Sequence, residues 1–368
     1  MDELPEGFVE VAVFGASPGE STAASPGVSG EQKAPEPLNP ELVAVKLKPC
    51  SEYLTPEQLG QLTALCREYA HVFSVNEEVG EFPASLVPPL TIDIVPGAIP
   101  CRQHPYSTSK FEEDWLREQV GKMASVGLVR RSTKGQWVSP IVIVRSGGKL
   151  RLCVNYQKLN AATVPDAHPM PRVDQVVSRM SGCRYITHID VRRGFWHLPI
   201  AEEDCHKTAF ATPWGEVWEF TRCPFGLVNA PAAYQRAMDT AMSGVSGCSV
   251  YMDDTYVYSK TLEYQLSSFL GEFQRCSQNN IKLNWEKCGF AAPEVKCLGY
   301  VVGVNGLKVD DEKVAAITQL PRPRNAKGVK SFLGMAGYFR QFIEHFAELS
   351  APLVYLTRKQ VPFKWCDK

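Results

Sequence analysis

The sequence has no Cys-x-x-Cys pair among its 12 cysteines and no regular cysteine spacing. That argues against a zinc ribbon and a disulfide scaffold, and leaves single buried or half-buried thiols in a reducing compartment. No stretch approaches the roughly 18 continuous apolar residues of a membrane-spanning helix. The N-terminus carries acids where a signal peptide needs a basic region and an apolar run, so neither a membrane span nor an export signal is expected. There is no internal repeat and no alternation of equal βα units. Net charge is also nearly absent, at -1 from 39 basic and 40 acidic residues. The balance hides a split. Residues 1–100 hold 4 Lys and Arg against 15 Asp and Glu, so residues 101–368 hold the other 35 and 25. A basic body behind an acidic leader suits a polyanionic partner.

What is present is a chain of 368 residues, 44% of them apolar. That is enough for two or three domain-sized units, or one large unit with subdomains. Ala16 to Glu41 is mostly Pro, Gly, Ser, Ala and Glu without periodicity and reads as a disordered linker. Order is expected from Leu54 onward. There Thr55 caps a helix with Pro56 and Glu57 in its first turn, and Leu59, Leu62, Cys66 and Tyr69 recur at helical spacing. Ser109 to Val129 reads as an amphipathic helix with Phe111, Trp115, Leu116, Val120 and Met123 as its stripe. Ser139 to Tyr156 predicts a hairpin whose β-branched runs flank Ser146, Gly147 and Gly148, with Lys149 and Arg151 just past the turn. A strand is expected to end at Asp190. A helix is expected over Asn229–Met242, with Asn229 as its cap and Ala230, Tyr234, Ala237 and Ala241 on one face. Another fits Leu262–Ser277. A last one falls within Ala326–Phe346, with Leu333, Ala336, Phe339 and Ile343 inward. The pattern is α+β with a hairpin at its centre.

That central hairpin, Val250 to Ser259, reads VYMDDTYVYS. Two tandem carboxylates interrupt an apolar and aromatic run, which a core-facing hairpin avoids unless a cation compensates them. A tandem Asp turn is also ordinary turn chemistry, and Asp190 is also an ordinary strand end. If the two elements are neighbours in one sheet, Asp190, Asp253 and Asp254 meet, and three such groups do not all stay ionised without a cation. Oxygen donors of this kind suit Mg²⁺ or Mn²⁺. Two ions about 3.5–4 Å apart activate a hydroxyl and stabilise a departing pyrophosphate. Lys149 and Arg151 then suit a triphosphate, although as edge residues they equally blunt a sheet edge.

Taken in order, SPIVIVRSGGKLRLCVNYQKLN, PMPRVDQVV, YITHIDVRRGFWHLPI, KTAFATPWGEVWEFTRCPFGLVNAPAAYQRAM and VYMDDTYVYS resemble the reverse transcriptases of gypsy-like LTR retrotransposons, which are similar to the retroviral enzymes. KCLGYVVGVNGLKVDDEKVAAI and VKSFLGMAGYFRQFI continue the likeness, which covers about residues 85 to 368. The resemblance implies a right-hand polymerase fold of fingers, palm and thumb, with an antiparallel palm sheet packed on helices. It implies a leader over residues 1–50, an extension over 51–100, mainly fingers over 101–180, and mainly palm with a primer-grip hairpin over 181–300. Thumb and the start of a connection to a ribonuclease H domain would occupy 301–368.

It also implies site residues. Asp190, Asp253 and Asp254 would be the catalytic, metal-holding aspartates. Lys149 and Arg151 would face the triphosphate. Phe195 would be an aromatic gate under the sugar that favours deoxynucleotides, its alternative being palm core. Gly194 before it leaves the backbone free to turn. Phe225 would pack on the new base or sugar, Tyr234 and Gln235 would lie near the template, and Tyr251 and Met252 would touch the primer end. Leu298 to Tyr300 would be the primer grip, and Phe332, Leu333, Tyr338 and Phe339 would belong to the thumb. Implied partners are an RNA or DNA template with primer, deoxynucleotides, a tRNA primer and the rest of a retroelement polyprotein, with two Mg²⁺ or Mn²⁺ ions as cofactors. The implied location is the cytoplasm, within virus-like particles.

The chain departs from the family pattern at Asn155, Gln157 and Cys223, where Asp, Arg and Met are usual. It has no Asp-Thr-Gly or Asp-Ser-Gly protease motif and no integrase-like His/Cys spacing. It reads as the polymerase module of a polyprotein. The rival is an element-derived nucleic-acid-binding protein without catalysis, against which the three intact carboxylates argue because anions repel phosphates. An RNA-templated RNA polymerase is disfavoured by Phe195 on steric grounds.

Overall fold

The computed structural model of the chain describes residues 39–74, 79–146, 149–359 and 361–365. The linker expected over Ala16–Glu41 lies almost wholly outside the described residues. Order begins earlier than the sequence pattern places it. Asn39 caps helix α1 (Pro40–Leu47) by accepting the Glu41 N–H, and Val43, Leu47 and Cys50 are buried. The expected leader over residues 1–50 is therefore corrected from residue 40 on. Helix α1 is too short, with too few buried positions, to show a local period. Helix α2 (Pro56–Glu68) starts with a reciprocal capping box between Thr55 and Gln58, and strand β1 (Phe73–Ser74) follows.

Helix α3 (Lys110–Ser125) is closed by a second capping box, Ser109 with Glu112. Leu116, Val120 and Met123 face the core, whereas Phe111 is 70% exposed and leaves the expected stripe. Strand β2 (Val129–Arg131) precedes β3 (Ser139–Ser146) and β4 (Lys149–Val154), which pair antiparallel from Ile141↔Val154 to Ser146↔Lys149 as the predicted hairpin. Gly147 and Gly148 lie outside the described residues. Two short helices, α4 (Gln157–Ala162) and α5 (Val173–Met180), lead to β5 (Tyr185–Asp190), β6 (Phe210–Ala211) and β7 (Val217–Phe220). Strands β2, β7, β6, β3 and β4, in that order, form a five-stranded sheet.

The central sheet combines β5 with strands of the elements that follow. These are α6 (Ala230–Ala241), β8 (Cys248–Tyr251), β9 (Asp254–Ser259), α7 (Leu262–Gln278), β10 (Leu283–Asn284) and β11 (Gly289–Ala292). Its order is β11-β5-β9-β8, antiparallel throughout. Alternation along β5 divides its side chains. Thr187 is wholly buried and accepts a hydrogen bond from Gln265 of α7. Ile186 on the opposite face joins a core with Val176, Val177 and Met180 of α5, Tyr256 and Phe339.

A meander follows, β12 (Glu294–Cys297), β13 (Tyr300–Gly303) and β14 (Gly306–Val309). Helices α8 (Asp311–Thr318), α9 (Ala326–Tyr338) and α10 (Phe346–Tyr355) close the described chain. The tail helix is shorter than expected. It ends at Tyr338, so Ala336 and Phe339 are buried but Ile343 is exposed. The chain turns there through a 3-10 segment, Arg340–Phe342, to a left-handed His345. Eleven described cysteines are free thiols and none is exposed. Among the described residues no helix is long and apolar enough to cross a membrane.

Candidate active site

Register explains which carboxylates meet. Strands β5 and β9 pair Asp190 with Asp254, His188 with Tyr256 and Ile186 with Tyr258. The two-residue period puts Ile186, His188 and Asp190 on one face. Strands β8 and β9 pair Tyr251 with Asp254, which leaves Met252 and Asp253 as a two-residue turn. The elements that sequence analysis placed sixty residues apart thus bring all three aspartates to one end of one sheet.

The turn is strained and braced. Met252 has φ 52°, a conformation that costs a non-glycine residue about 1–2 kcal/mol. Its N–H donates to Gln235 Oε1 at 2.8 Å, while Gln235 Nε2 donates to the Val250 carbonyl at 3.2 Å and Asp239 Oδ1 at 2.9 Å. Gln235 and Tyr234 are both wholly buried. Gln235 braces the turn from within the core, and the Tyr234 ring packs against Phe195 and Phe82. Helix α6 carries eight buried residues, on more than one face, so its polar position 235 is interior. Asn229 sits at its N-cap without capping it; its side chain instead accepts from Asp166 N–H and donates to the Val164 carbonyl.

The electrostatics are those of crowded carboxylates. Burial first, then the charges of Asp190 and Asp254, push the Asp253 carboxyl up to about 7. Its Oδ1 is buried with no hydrogen-bond partner among the described residues. Burial likewise raises Asp190, opposed by Lys287, whose Nζ lies 3.3 Å from Oδ2. Asp254 Oδ1 lies 2.6 Å from His188 Nε2, and the imidazole stacks on Tyr256 at 5.1 Å.

Sequence reading named neither basic partner. His188 had a signal, since it stands two residues before Asp190 on a strand. Lys287 had none: pairing of Gly289 with His188 is what carries it past Asp190. Among the described residues no group of three or more His, Cys, Asp or Glu is already gathered as a metal-ion cluster. The donor set nevertheless fits a hard divalent cation. Its ligands are oxygens, one is an unsatisfied buried carboxylate oxygen, and two carboxyls are held above the usual range.

The chain after Asp190 presses against this group. Val191 N–H donates to the Asp253 carbonyl at 3.0 Å. Arg193, at φ 53°, takes the left-handed conformation, not Gly194. Gly194 is required for space: a Cβ there would lie 2.1 Å from Asp253 Oδ1 and 2.5 Å from the Tyr234 hydroxyl. Phe195 is 7% exposed, with Phe225 at 4.8 Å and the Tyr234 ring edge-on at 5.3 Å. It is part of the core.

Arg151 is half-buried on β4, two residues from Lys149, whose side chain lies outside the described residues. Asn155 is buried and its Oδ1 accepts the Gln157 N–H at 3.1 Å, so it serves its own turn. Leu298 and Gly299, both at positive φ, form the turn between β12 and β13. The Tyr338 hydroxyl donates to the Leu298 carbonyl at 2.8 Å, and the Tyr300 hydroxyl donates to the Tyr338 carbonyl at 3.1 Å.

Residues 143–302 match the family model described as "Reverse transcriptase (RNA-dependent DNA polymerase)". The chain is 36% identical over 262 residues to the retrovirus-related Pol polyprotein from transposon 297 of Drosophila melanogaster, covering 69% of this chain and 25% of that one. It is 34% identical over 304 residues to the Pol polyprotein from transposon opus of the same fly, covering 77% and 30%. The chain thus spans a quarter to a third of the length of these relatives. Its fold matches a foamy viral protease-reverse transcriptase solved with double-stranded DNA, with a TM-score of 0.79 at 23% identity over 92% of this chain and 60% of that one. A second foamy viral structure, in complex with an RNA/DNA hybrid, matches with a TM-score of 0.76 at 23% identity over 89% and 44%. The mixed fold here, with its antiparallel central sheet packed against helices, matches the fingers, palm and thumb fold of those structures.

Proposed function

Because its sequence and its fold match the reverse transcriptase domains of retrotransposon and retroviral Pol polyproteins, we propose that this chain is a templated DNA polymerase module that adds deoxynucleotides to a primer 3′-hydroxyl on RNA or DNA. The observation that carries the reading is the placement of Asp190 opposite Asp254, with Asp253 in the adjoining turn, at one end of the central sheet. Asp190, Asp253 and Asp254 would hold Mg²⁺ or Mn²⁺, two ions in all. Bound there, such ions activate the attacking hydroxyl and neutralise charge on the departing pyrophosphate. The chain's own residues do the rest. Asp253 gives up its proton on binding a cation, since a carboxyl near 7 is mostly protonated below that pH. Lys287 and His188 each hold one carboxylate oxygen in place.

The remaining roles follow position. Lys149 and Arg151 meet the triphosphate, Phe195 and Phe225 form the floor beneath the incoming sugar, and Tyr251 and Met252 meet the primer end. The Leu298–Tyr300 turn seats the primer 3′-terminus, where a misplacement of about 1 Å costs about 10²-fold in rate. The finer partition into fingers over 101–180, palm over 181–300 and thumb over 301–368 belongs to the same reading. So do a tRNA primer, a polyprotein context and a place in cytoplasmic virus-like particles.

The test is primer extension on poly(rA) with oligo(dT), dTTP and Mg²⁺ or Mn²⁺. Wild type should extend. Asp190→Asn should lose extension while keeping the fold and primer-template affinity. Strong extension by that variant refutes the assignment. Tight binding without extension by wild type favours the rival, a nucleic-acid-binding protein without catalysis.

A further inference from the structure

The turn that follows Asp190 is held from parts of the chain the proposed chemistry does not use. His197 ends the 3-10 segment Gly194–His197 and is wholly buried. Its ring meets two backbone groups. The Lys282 N–H donates to Nε2 at 3.1 Å, so Nε2 is an acceptor and the proton sits on Nδ1. Nδ1 then donates to the Gly194 carbonyl at 3.2 Å. Burial holds the ring neutral, pushing its pKa down to about 4, which keeps this tautomer across the working pH range. Lys282 closes the other end of the same loop, its carbonyl accepting the Arg192 N–H at 2.8 Å.

The clasp is completed by residues 80–82, more than a hundred positions earlier in the chain. Phe82 N–H donates to the His197 carbonyl at 2.8 Å. The Phe82 ring lies 5.5 Å from the imidazole and 5.9 Å from Tyr234. Gly80 passes so close that a Cβ would sit 1.9 Å from the Asn280 carbonyl oxygen and 2.8 Å from His197 Cδ2 and Nε2. The main chain and the ring of His197 are therefore both fixed.

We propose that His197 is a positioning residue that sets the Gly194–Phe195 turn against the nucleotide site, with Gly80–Phe82 as the strap that fixes it. The proposal rests on the polymerase reading. Gly194 lies against Asp253 and Tyr234 with no room to spare, and Phe195 follows it directly. A change at His197 therefore moves the wall under the sugar before it moves the sheet that carries the aspartates. Leu at 197 fills similar volume but removes the ring's bonds to the Gly194 carbonyl and from the Lys282 N–H, a loss that a small shift of the turn relieves. Gln offers one N–H and one carbonyl in their place.

The experiment compares wild type, His197→Leu, His197→Gln and Phe82→Leu. Two quantities are read. One is amide exchange over residues 191–198 and 281–284 by mass spectrometry, without substrates. The other is the ratio of kcat/KM for UTP to that for dTTP on poly(rA)·oligo(dT), with primer-template Kd and Tm alongside. His197→Leu should speed exchange in both segments, leave β5 and β9 protected, and raise the UTP:dTTP ratio about ten-fold. His197→Gln should return both readouts toward wild type. Should His197→Leu fail to fold, Phe82→Leu carries the test with the same two expectations.

Unchanged local exchange overturns the proposal, because the ring then does not hold the turn. Faster exchange with an unchanged sugar ratio also overturns it, because the role is then structural only. Failure of wild type to extend any primer refutes the polymerase reading instead. It removes the sugar-selecting role with it, while exchange still decides whether His197 holds the turn.

Discussion

Glu272 of α7 is wholly buried, and neither carboxyl oxygen has a hydrogen-bond partner among the described residues. Burial alone pushes its pKa up to about 8 from an ordinary 4.5. The titratable groups near it are themselves reluctant acids: the thiols of Cys248, Cys276 and Cys288 are raised, each by its own burial first, and stay neutral. No cation is there to compensate a Glu272 carboxylate among the described residues. The folded chain therefore binds a proton at Glu272 that the unfolded chain releases above pH 4.5. Its contribution is neutral below that pH and increasingly unfavourable as pH rises toward 8. The slope is about 1.4 kcal/mol per pH unit, so at pH 7 the cost is about 3 kcal/mol. Glu272→Gln keeps the shape and removes the titration. Urea denaturation at pH 5, 6, 7 and 8 should show wild type losing about 3–4 kcal/mol relative to the variant across that range. Parallel pH profiles would refute the reasoning, since they would mean that Glu272 is solvated or paired in solution.

Three further outcomes follow from the site. Gln235→Leu leaves the Met252 N–H unpaired in a turn already at positive φ, so it should cost about 1–3 kcal/mol in urea stability and lower kcat for dTTP more than it weakens primer-template binding. Tyr338→Phe keeps the ring stacked on Tyr300 at 5.5 Å but removes the bond to the Leu298 carbonyl. About 1 kcal/mol lost there should speed primer-template dissociation about five-fold, read by trap-challenge extension, with KM for dTTP unchanged. Primer-template affinity should fall steeply with salt, since residues 101–368 carry 35 basic against 25 acidic residues. About six phosphate contacts give a log-log slope of about -5 in a fluorescence titration, and a slope near zero contradicts the electrostatic account.

The parts of this site that could be read from sequence are those whose cause is local. The strand ending at Asp190 and a turn at the tandem Asp follow from two-residue alternation broken by charge, although the pairing of Tyr251 with Asp254 sets that turn one residue earlier, at Met252–Asp253. Thr55 and Ser109 announce their helices by capping chemistry. Charge balance at the same site has no local cause. Lys287 reaches Asp190 only because β11 pairs with β5 across about a hundred residues, and nothing in its neighbours marks it.

The bracing role of Gln235 was hidden for a related reason. The apolar stripe of Ala230, Tyr234, Ala237 and Ala241 leaves position 235 off its face and says nothing of what Gln235 meets. The structure buries Ala232, Ala233 and Met238 as well, so the second face is also interior, and a polar residue there must find buried partners. It finds them in the backbone of the aspartate turn. Gly194 makes the same point from the other side. Its smallness reads as freedom of the chain, yet the left-handed residue is Arg193, and the missing side chain is needed for the contact with Asp253. Small or polar residues next to a charged turn are thus better read as answers to a crowded neighbour than as features of their own segment, and only the neighbour's position says which.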